Sequence, residues 1–232
     1  SFQQYTKVAA WASEIENMPL LSLPAEQRVV LSNVSWETFE GLSADNGVRG
    51  GRMAYEEGSL EIMSPSREHE ILKSVLGRLV DAYAQEMGID IAATGSTTLK
   101  LELKKRGLEP DESYYIQNEA AMRGRVDLDL ERDPPPDLAI EVEITRSALD
   151  KLGIYAALGV AEVWLFDGEM LKGHSLGADR HYVECAESRV LPGLPIRALT
   201  RFLGEWKQES MTRLVTRFRA WLRENPHKQP KK

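Results

Sequence analysis

Residues 137–145 read DLAIEVEIT, a short stretch with an alternating pattern. Its aliphatic residues occupy every second position, and because side chains along a strand point to opposite faces by turns, they share one face. The other face carries two carboxylates, Glu141 and Glu143. Three prolines, Pro134 to Pro136, precede the stretch and exclude a helix at its entry. The pattern therefore predicts a strand that is apolar on one face and acidic on the other.

The acidic face has two interpretations that the strand alone leaves open. On an exposed edge strand, Glu141 and Glu143 would simply be solvated. In a central strand they would lie roughly 7 Å apart, the spacing of two residues along a strand. That proximity costs stability unless a cation or a base lies between the two carboxylates.

The residues before this stretch predict a helix, a hairpin and a long helix. WETFEGL predicts a short helix that ends at Gly41. Two alternating runs around Glu57-Gly58 indicate a β-hairpin. An apolar stripe at helical spacing follows, with Ser64 or Ser66 as its N-cap and Gly88 as its end.

The rest of the chain predicts a sheet with helices packed against it. Two strands precede the prolines, a helix runs from about residue 147 to 158, and a buried strand follows it. Further hairpin strands and a basic helical tail complete the order. The strand–helix–strand over 137–167 is typical of a right-handed parallel crossover. We therefore expect an α/β fold (mixed α+β) with a mixed β-sheet flanked by helices.

Length and composition exclude several classes of protein. The chain of 232 residues suffices for one large α/β domain or two small ones, and 42% hydrophobic with 28% charged residues is typical of a globular protein. We expect no membrane partner, since no apolar run approaches about 18 residues and the start lacks a signal-peptide pattern. Cys185 stands alone, which excludes internal disulfides and a cysteine-built zinc site. These features predict a cytoplasmic location.

The net charge of −7 bears on the partner. Taken alone it argues against nucleic acid, because basic faces supply most of that affinity. A bound divalent metal would offset a cluster of carboxylates, however. The segment after residue 196 is also strongly basic. Charge thus leaves nucleic acid open as a partner.

The candidate site combines acids at strand positions with one lysine. Asp111 lies in the segment Glu109-Pro110-Asp111, Glu141 and Glu143 lie in the stretch described above, and Lys151 begins the next helix. Carboxylate oxygens suit Mg²⁺, which lowers the pKa of a bound water and polarises a phosphoryl oxygen. A nearby lysine can stabilise charge that develops on the phosphate. These residue types are the ones that metal-dependent hydrolysis of a phosphodiester requires.

The same residues resemble those of the PD-(D/E)XK nuclease superfamily, and most closely its Uma-two branch of restriction-endonuclease-like proteins. The resemblance covers roughly residues 35–203, and 137–168 is its most specific part. The segments that carry it are EEGSLEIMSPSREHEIL, EPDESYYI, PPDLAIEVEITRSALDKLGIYAALGVAEVWLFDG and LPGLPIRALTRFL. It implies a restriction-endonuclease-like fold and a Mg²⁺- or Mn²⁺-dependent endonuclease that acts on DNA.

Carried over residue by residue, the resemblance implies a role for each candidate. Asp111 and Glu141 would be metal ligands, and Lys151 would supply the lysine that the family is thought to recruit from the following helix. The usual lysine position, two residues after Glu141, holds Glu143 instead, which implies either a further metal ligand or an inactive descendant. His69 matches a family histidine that would orient a ligand or a water.

The sequence also predicts how the chain is divided and a possible way in which it dimerises. We expect an N-terminal leader of helical and irregular pieces over 1–34, a nuclease-like domain over 35–203 and a basic C-terminal helix and tail over 204–232. A homodimer is possible through that helix. One alternative is a catalytically inactive scaffold that binds nucleic acid or protein, in which Glu141 and Lys151 form a structural ion pair. Another is a metal-dependent phosphatase or small-molecule hydrolase, which would need a closed pocket instead of an open cleft.

Overall fold

The structure, a computed structural model, describes residues 26–44 and 51–225. Within these ranges the strands are β1 (Gln27–Leu31), β2 (Arg52–Glu56), β3 (Ser59–Ser64), β4 (Ala92–Ala93), β5 (Leu99–Leu101), β6 (Arg106–Leu108), β7 (Glu112–Tyr115), β8 (Leu138–Val142), β9 (Glu162–Phe166), β10 (Leu171–Leu176) and β11 (Tyr182–Cys185). The α-helices are α1 (Trp36–Ala44), α2 (Arg67–Met87), α3 (Glu119–Met122), α4 (Lys151–Leu158), α5 (Ile196–Gly204) and α6 (Met211–Glu224). A 3₁₀ turn spans Glu102–Lys104.

The strands form two sheets. One is antiparallel throughout, in the order β1-β3-β2-β6-β5. The other has the order β11-β10-β9-β8-β7-β4 and is mixed, because β8 and β9 run parallel. The predicted α/β (mixed α+β) class with helices packed on sheets is thus confirmed, although the expected single sheet is two sheets.

Strand β8 is central, which answers the question raised by its acidic face. It pairs with β7 on one side and with β9 on the other, and all five of its residues are buried. Glu141 is only 1% exposed. Glu143 follows the end of the strand and is half-buried. Helix α4 makes the predicted parallel crossover from β8 to β9.

Helix α2 packs on the mixed sheet and forms the main core with α5 and α6. Ser66 caps it by accepting a hydrogen bond from the backbone N–H of His69. Gly88 ends it in the left-handed region, with φ of 64°, as predicted. The Glu57-Gly58 turn also has positive φ at both residues, which suits a tight hairpin.

Two features of the N-terminal part differ from the expectation. Gly41 does not end α1, which continues to Ala44. Residues 27–31 are not helical or irregular, since they form β1 and pair antiparallel with β3. The apolar run Val29–Leu31 suits a strand, and the register with β3 fixes it there. The three-part division of the chain otherwise stays a prediction, and most of the predicted leader (residues 1–25) lies outside the described residues.

The basic C-terminal segment contains two helices, α5 and α6, where one helical stretch was expected. Both contribute apolar residues to the core on α2. In the described ranges, no helix combines the length and the apolar character that a membrane span requires.

Candidate active site

Asp111 and Glu141 lie opposite one another on neighbouring strands. Glu112 pairs with Ile140 in the antiparallel β7–β8 ladder, so the same register places Asp111 opposite Glu141. Directly opposed residues share a face and have Cβ atoms about 5 Å apart. One oxygen of Asp111, Oδ2, accepts a hydrogen bond of 2.8 Å from the backbone N–H of Val142. The two acids are therefore both buried and close together.

Lys151 provides the cation that the acidic face requires. It is the first residue of α4, directly after the N-cap Asp150. Its Nζ lies 2.7 Å from Glu141 Oε2 and 3.5 Å from Glu143 Oε1. The ammonium thus lies between two carboxylates that would otherwise repel each other.

Tyr155 completes the surroundings of Glu141. Its hydroxyl donates a 2.5 Å hydrogen bond to Glu141 Oε1. Burial and the neighbouring carboxylate raise the pKa of Tyr155 well above its ordinary value, so the hydroxyl keeps its proton. Sequence reasoning missed this residue, although its spacing of four from Lys151 on one helix places both on the same face.

Burial shapes the protonation of this pair. It raises the pKa of Glu141 to about 7, although Lys151 acts in the opposite direction. Burial by itself would lower the pKa of Lys151, but the adjacent carboxylates outweigh it and the pKa is raised. Lys151 therefore stays charged near neutral pH, whereas Glu141 titrates there.

His69 lies on the other side of Asp111. Its Nε2 is 2.9 Å from Asp111 Oδ1 and its Nδ1 is 2.7 Å from Glu26 Oε1, and all three side chains are buried. Burial disfavours the imidazolium, but the two carboxylates outweigh it and raise the pKa of His69 to about 9. Burial alone would raise the pKa of Asp111, but contact with His69 outweighs it and the pKa is lowered. At neutral pH the ring is thus a cation between two carboxylates.

Arg52 is a further cation near Asp111. Its Nε lies 3.6 Å from Asp111 Oδ1. It comes from the first residue of β2, in the antiparallel sheet. The site is therefore built where the two sheets meet. Sequence reasoning missed Arg52 because nothing local to its strand indicates which residue of the other sheet it faces.

One carboxylate oxygen of the site makes no hydrogen bond among the described residues. Asp111 Oδ1 is buried, and its contact with His69 Nε2 is short but not aligned as a hydrogen bond. Two carboxylates with such an oxygen fit Mg²⁺, which binds through one or two carboxylates and keeps several waters. Among the described residues, no group of three or more His, Cys, Asp or Glu side chains is arranged to hold a metal ion. The protein would thus supply a pair of ligands, and Glu143 as a third stays a prediction.

A protein-family model matches most of the chain. Residues 36–210 match the model of the Uma2 family, described as "Putative restriction endonuclease". The chain belongs to the Uma2 family. This membership supports a nuclease-like role, and the resemblance inferred from the sequence is confirmed. No curated protein matches the chain.

A solved structure is also similar to this Uma2 chain. It is a "putative nuclease belonging to DUF820" from Anabaena variabilis ATCC 29413. The two share 14% sequence identity with a TM-score of 0.46, over 80% of this chain and 99% of the other.

The Uma2 site opens to solvent through a cleft of about 930 Å³. Glu143 and Lys151 line it, whereas the buried acids Asp111 and Glu141 do not. Arg146 and Lys172 line it too, and Lys172 pairs at 3.1 Å with Asp167, another lining residue. Arg146 is exposed, and it has no hydrogen-bond or ion-pair partner in the part of the chain that the structure describes. The cleft therefore offers an unpaired guanidinium beside the buried acids.

Two further histidines and the arginines of α6 do not line the cleft. His174 is half-buried in β10, and His181 is exposed. Three arginines of α6 are paired with glutamates of the chain. Arg217 pairs with Glu205 and Glu209, and both Arg219 and Arg223 pair with Glu86. These arginines attach α6 to its surroundings.

Proposed function

We propose that the protein is a divalent-metal-dependent phosphodiester hydrolase, a DNA endonuclease. The observation that supports this best is the opposed pair Asp111 and Glu141 with Lys151 Nζ 2.7 Å from Glu141. Membership of the Uma2 family supports a nuclease-like role independently of that geometry. The metal and the DNA substrate are the parts that the proposal adds.

Asp111 and Glu141 would hold Mg²⁺ or Mn²⁺. Such an ion, when bound, polarises a phosphoryl oxygen and lowers the pKa of a coordinated water. Lys151 lies at the cleft side of these acids and keeps its charge, so it can orient a water or stabilise charge that develops on the phosphate. Glu143, 3.5 Å from Lys151 Nζ, limits where that ammonium can move.

The substrate would approach along the cleft. Arg146 carries a guanidinium that no carboxylate of the described chain engages, and guanidinium groups bind phosphate through two parallel hydrogen bonds. We assign it to a backbone phosphate next to the scissile one. The net charge of −7 does not exclude a nucleic-acid substrate, because a single unpaired guanidinium at the cleft can still contact a phosphate.

A second candidate is the catalytically inactive scaffold. Both oxygens of Glu141 already accept hydrogen bonds, from Lys151 and Tyr155, which a purely structural ion pair would also show. In that case Asp111 and Glu141 would bind no metal, and the cleft would bind nucleic acid or protein without cleavage.

Plasmid nicking distinguishes the two candidates. We expect wild-type protein to nick supercoiled DNA with Mg²⁺ or Mn²⁺, and Asp111→Asn and Glu141→Gln to lose at least about 100-fold in rate, as for other groups that stabilise a transition state. Glu162→Gln is the matched control. Glu162 is a buried glutamate on the next strand, and its Oε1 accepts a hydrogen bond from Trp164 Nε1. DNA binding without nicking by wild type would favour the scaffold.

Arg146 should affect substrate binding rather than chemistry. We predict that Arg146→Gln raises KM about three- to tenfold and leaves kcat nearly unchanged, because a phosphate contact remote from the reacting atoms acts equally on ground and transition states. Arg213→Gln on α6, which does not line the cleft, is the control. Equal KM values for both variants would contradict the assignment.

A further inference from the structure

We propose that Glu26 is a positioning residue of the active site, acting on Asp111 through His69. This inference rests on the proposed function. Glu26 precedes β1 and lies outside residues 36–210, the range that matches the Uma2 family. The site would therefore include a residue from beyond the family-matched part of the chain.

The sheet register brings Glu26 to His69. Gln27 pairs with Ser64 at the end of β3, so Glu26 lies beside the connection from β3 to α2. His69 is in the first turn of α2, where Ser66 caps the helix. From there Glu26 Oε1 lies 2.7 Å from His69 Nδ1.

The second oxygen of Glu26 anchors it to the end of β8. Glu26 Oε2 accepts hydrogen bonds from the backbone N–H of Thr145, at 2.9 Å, and from its hydroxyl, at 2.5 Å. Arg28 Nη2 contributes a further contact of 2.9 Å. Glu26 is 3% exposed, so few other conformations are open to it. Its carboxylate thus connects the starts of β1 and α2 to the strand that carries Glu141.

Arg28 extends this connection to the helix that carries Lys151. Its Nη1 pairs with Glu61 Oε1 at 2.5 Å, and Glu61 Oε2 accepts a 2.6 Å hydrogen bond from the backbone N–H of Ala148. Ala148 lies three residues before Lys151. The linked charges Glu26, Arg28 and Glu61 therefore contact the loop that joins β8 to α4.

The orientation of His69 has a direct consequence for Asp111. Val142 fixes Asp111 Oδ2, whereas Oδ1 lies 2.9 Å from His69 Nε2 and 3.6 Å from Arg52 Nε. The ring can keep Nε2 towards Asp111 only while Nδ1 has a partner on its other side, because a buried ring nitrogen without one is costly. Glu26 is that partner. Without it, we expect the imidazole to turn and the Asp111 carboxylate to lose its contact with His69 Nε2.

A double-mutant cycle on kcat tests this role. Glu26→Gln should lower kcat for nicking about tenfold with KM changed less than threefold, whereas Glu162→Gln, an equally buried glutamate elsewhere, should leave both unchanged. In a His69→Gln background, Glu26→Gln should change kcat less than twofold, because its partner is gone. Losses that multiply in the double variant would overturn the proposal.

A measurement that does not depend on nicking activity tests the role of Glu26 separately from the proposed nuclease function. In metal-free protein, ¹H–¹⁵N NMR should show a slowly exchanging His69 Nδ1 proton, assigned by its absence in His69→Gln. It should shift in Thr145→Val, a mild variant that removes one donor to Glu26. Absence of this proton in wild type would overturn the Glu26 role even if the protein nicks DNA. If the His69 Nδ1 proton is present but the protein does not nick DNA, the contact between Glu26 and His69 stands and the proposed nuclease function is wrong.

Discussion

At the scale of single residues, the site places charges where water does not reach. Glu141 is 1% exposed in a central strand, and an unpaired carboxylate there would be strongly destabilising. Lys151 offsets that cost, and Tyr155 satisfies the remaining oxygen. The double glutamate of DLAIEVEIT is therefore stable only together with a lysine from the next helix.

Removing Lys151 should reveal how much the burial of the Glu141 carboxylate costs in stability. We predict that Lys151→Met lowers the free energy of unfolding by about 3–5 kcal/mol, because it leaves Glu141 buried without its cation. Lys151→Met combined with Glu141→Leu should recover most of the loss, since an apolar pair needs no charge compensation. Urea unfolding measures both. A single variant as stable as wild type would contradict a stabilising Glu141–Lys151 ion pair.

His69 should make stability depend on pH in the metal-free protein. Its folded pKa of about 9 is above the ordinary 6.5, so its contribution is fully present below pH 6.5 and is lost as pH rises through 9. The shift corresponds to at most about 3 kcal/mol. Urea unfolding with EDTA should show wild type losing more stability than His69→Gln between pH 6.5 and 9. Parallel curves would contradict the contacts with Glu26 and Asp111.

At the scale of elements, the sequence predicted the helices, strands and turns that depend on residues close together in the chain. The β2–β3 hairpin, the caps of α2 and the β8–α4–β9 crossover depend on turn residues, capping side chains and periodicity, and all are found. Helix α1 shows where that reasoning fails. Gly41 is exposed, and a Cβ added to it would meet no atom of the described residues within 4 Å, so none of them forces the helix to end there.

Two glycines should respond in opposite ways to alanine. Gly41→Ala in α1 should raise the free energy of unfolding by up to about 1 kcal/mol, the difference in helix propensity. Gly107→Ala in β6 should lower it by about 1–3 kcal/mol, because the new Cβ would lie 2.8 Å from the buried ring of Phe39. Thermal unfolding of both variants checks this. Loss of stability in Gly41→Ala would mean that the glycine serves another purpose.

At the scale of the whole molecule, the site joins two sheets, and this is the part that sequence could not predict. Asp111, Glu141 and Lys151 were found from sequence because motif spacing and one crossover bring them together. Arg52 and Glu26 were missed because they come from the antiparallel sheet and from the segment before β1. Their contacts depend on long-range register, which no local pattern encodes.

The central claim is that Asp111 and Glu141 hold a divalent metal, and calorimetric titration with Mn²⁺ tests it most directly. We predict saturable binding by wild type below millimolar metal. Binding should be tighter at pH 8 than at pH 6, because only the ionised form of Glu141, with its pKa of about 7, binds a cation. Glu141→Gln should not bind, and Glu162→Gln should bind as wild type does. Absence of binding by wild type at pH 8, or equal binding by Glu141→Gln, would contradict the metal site.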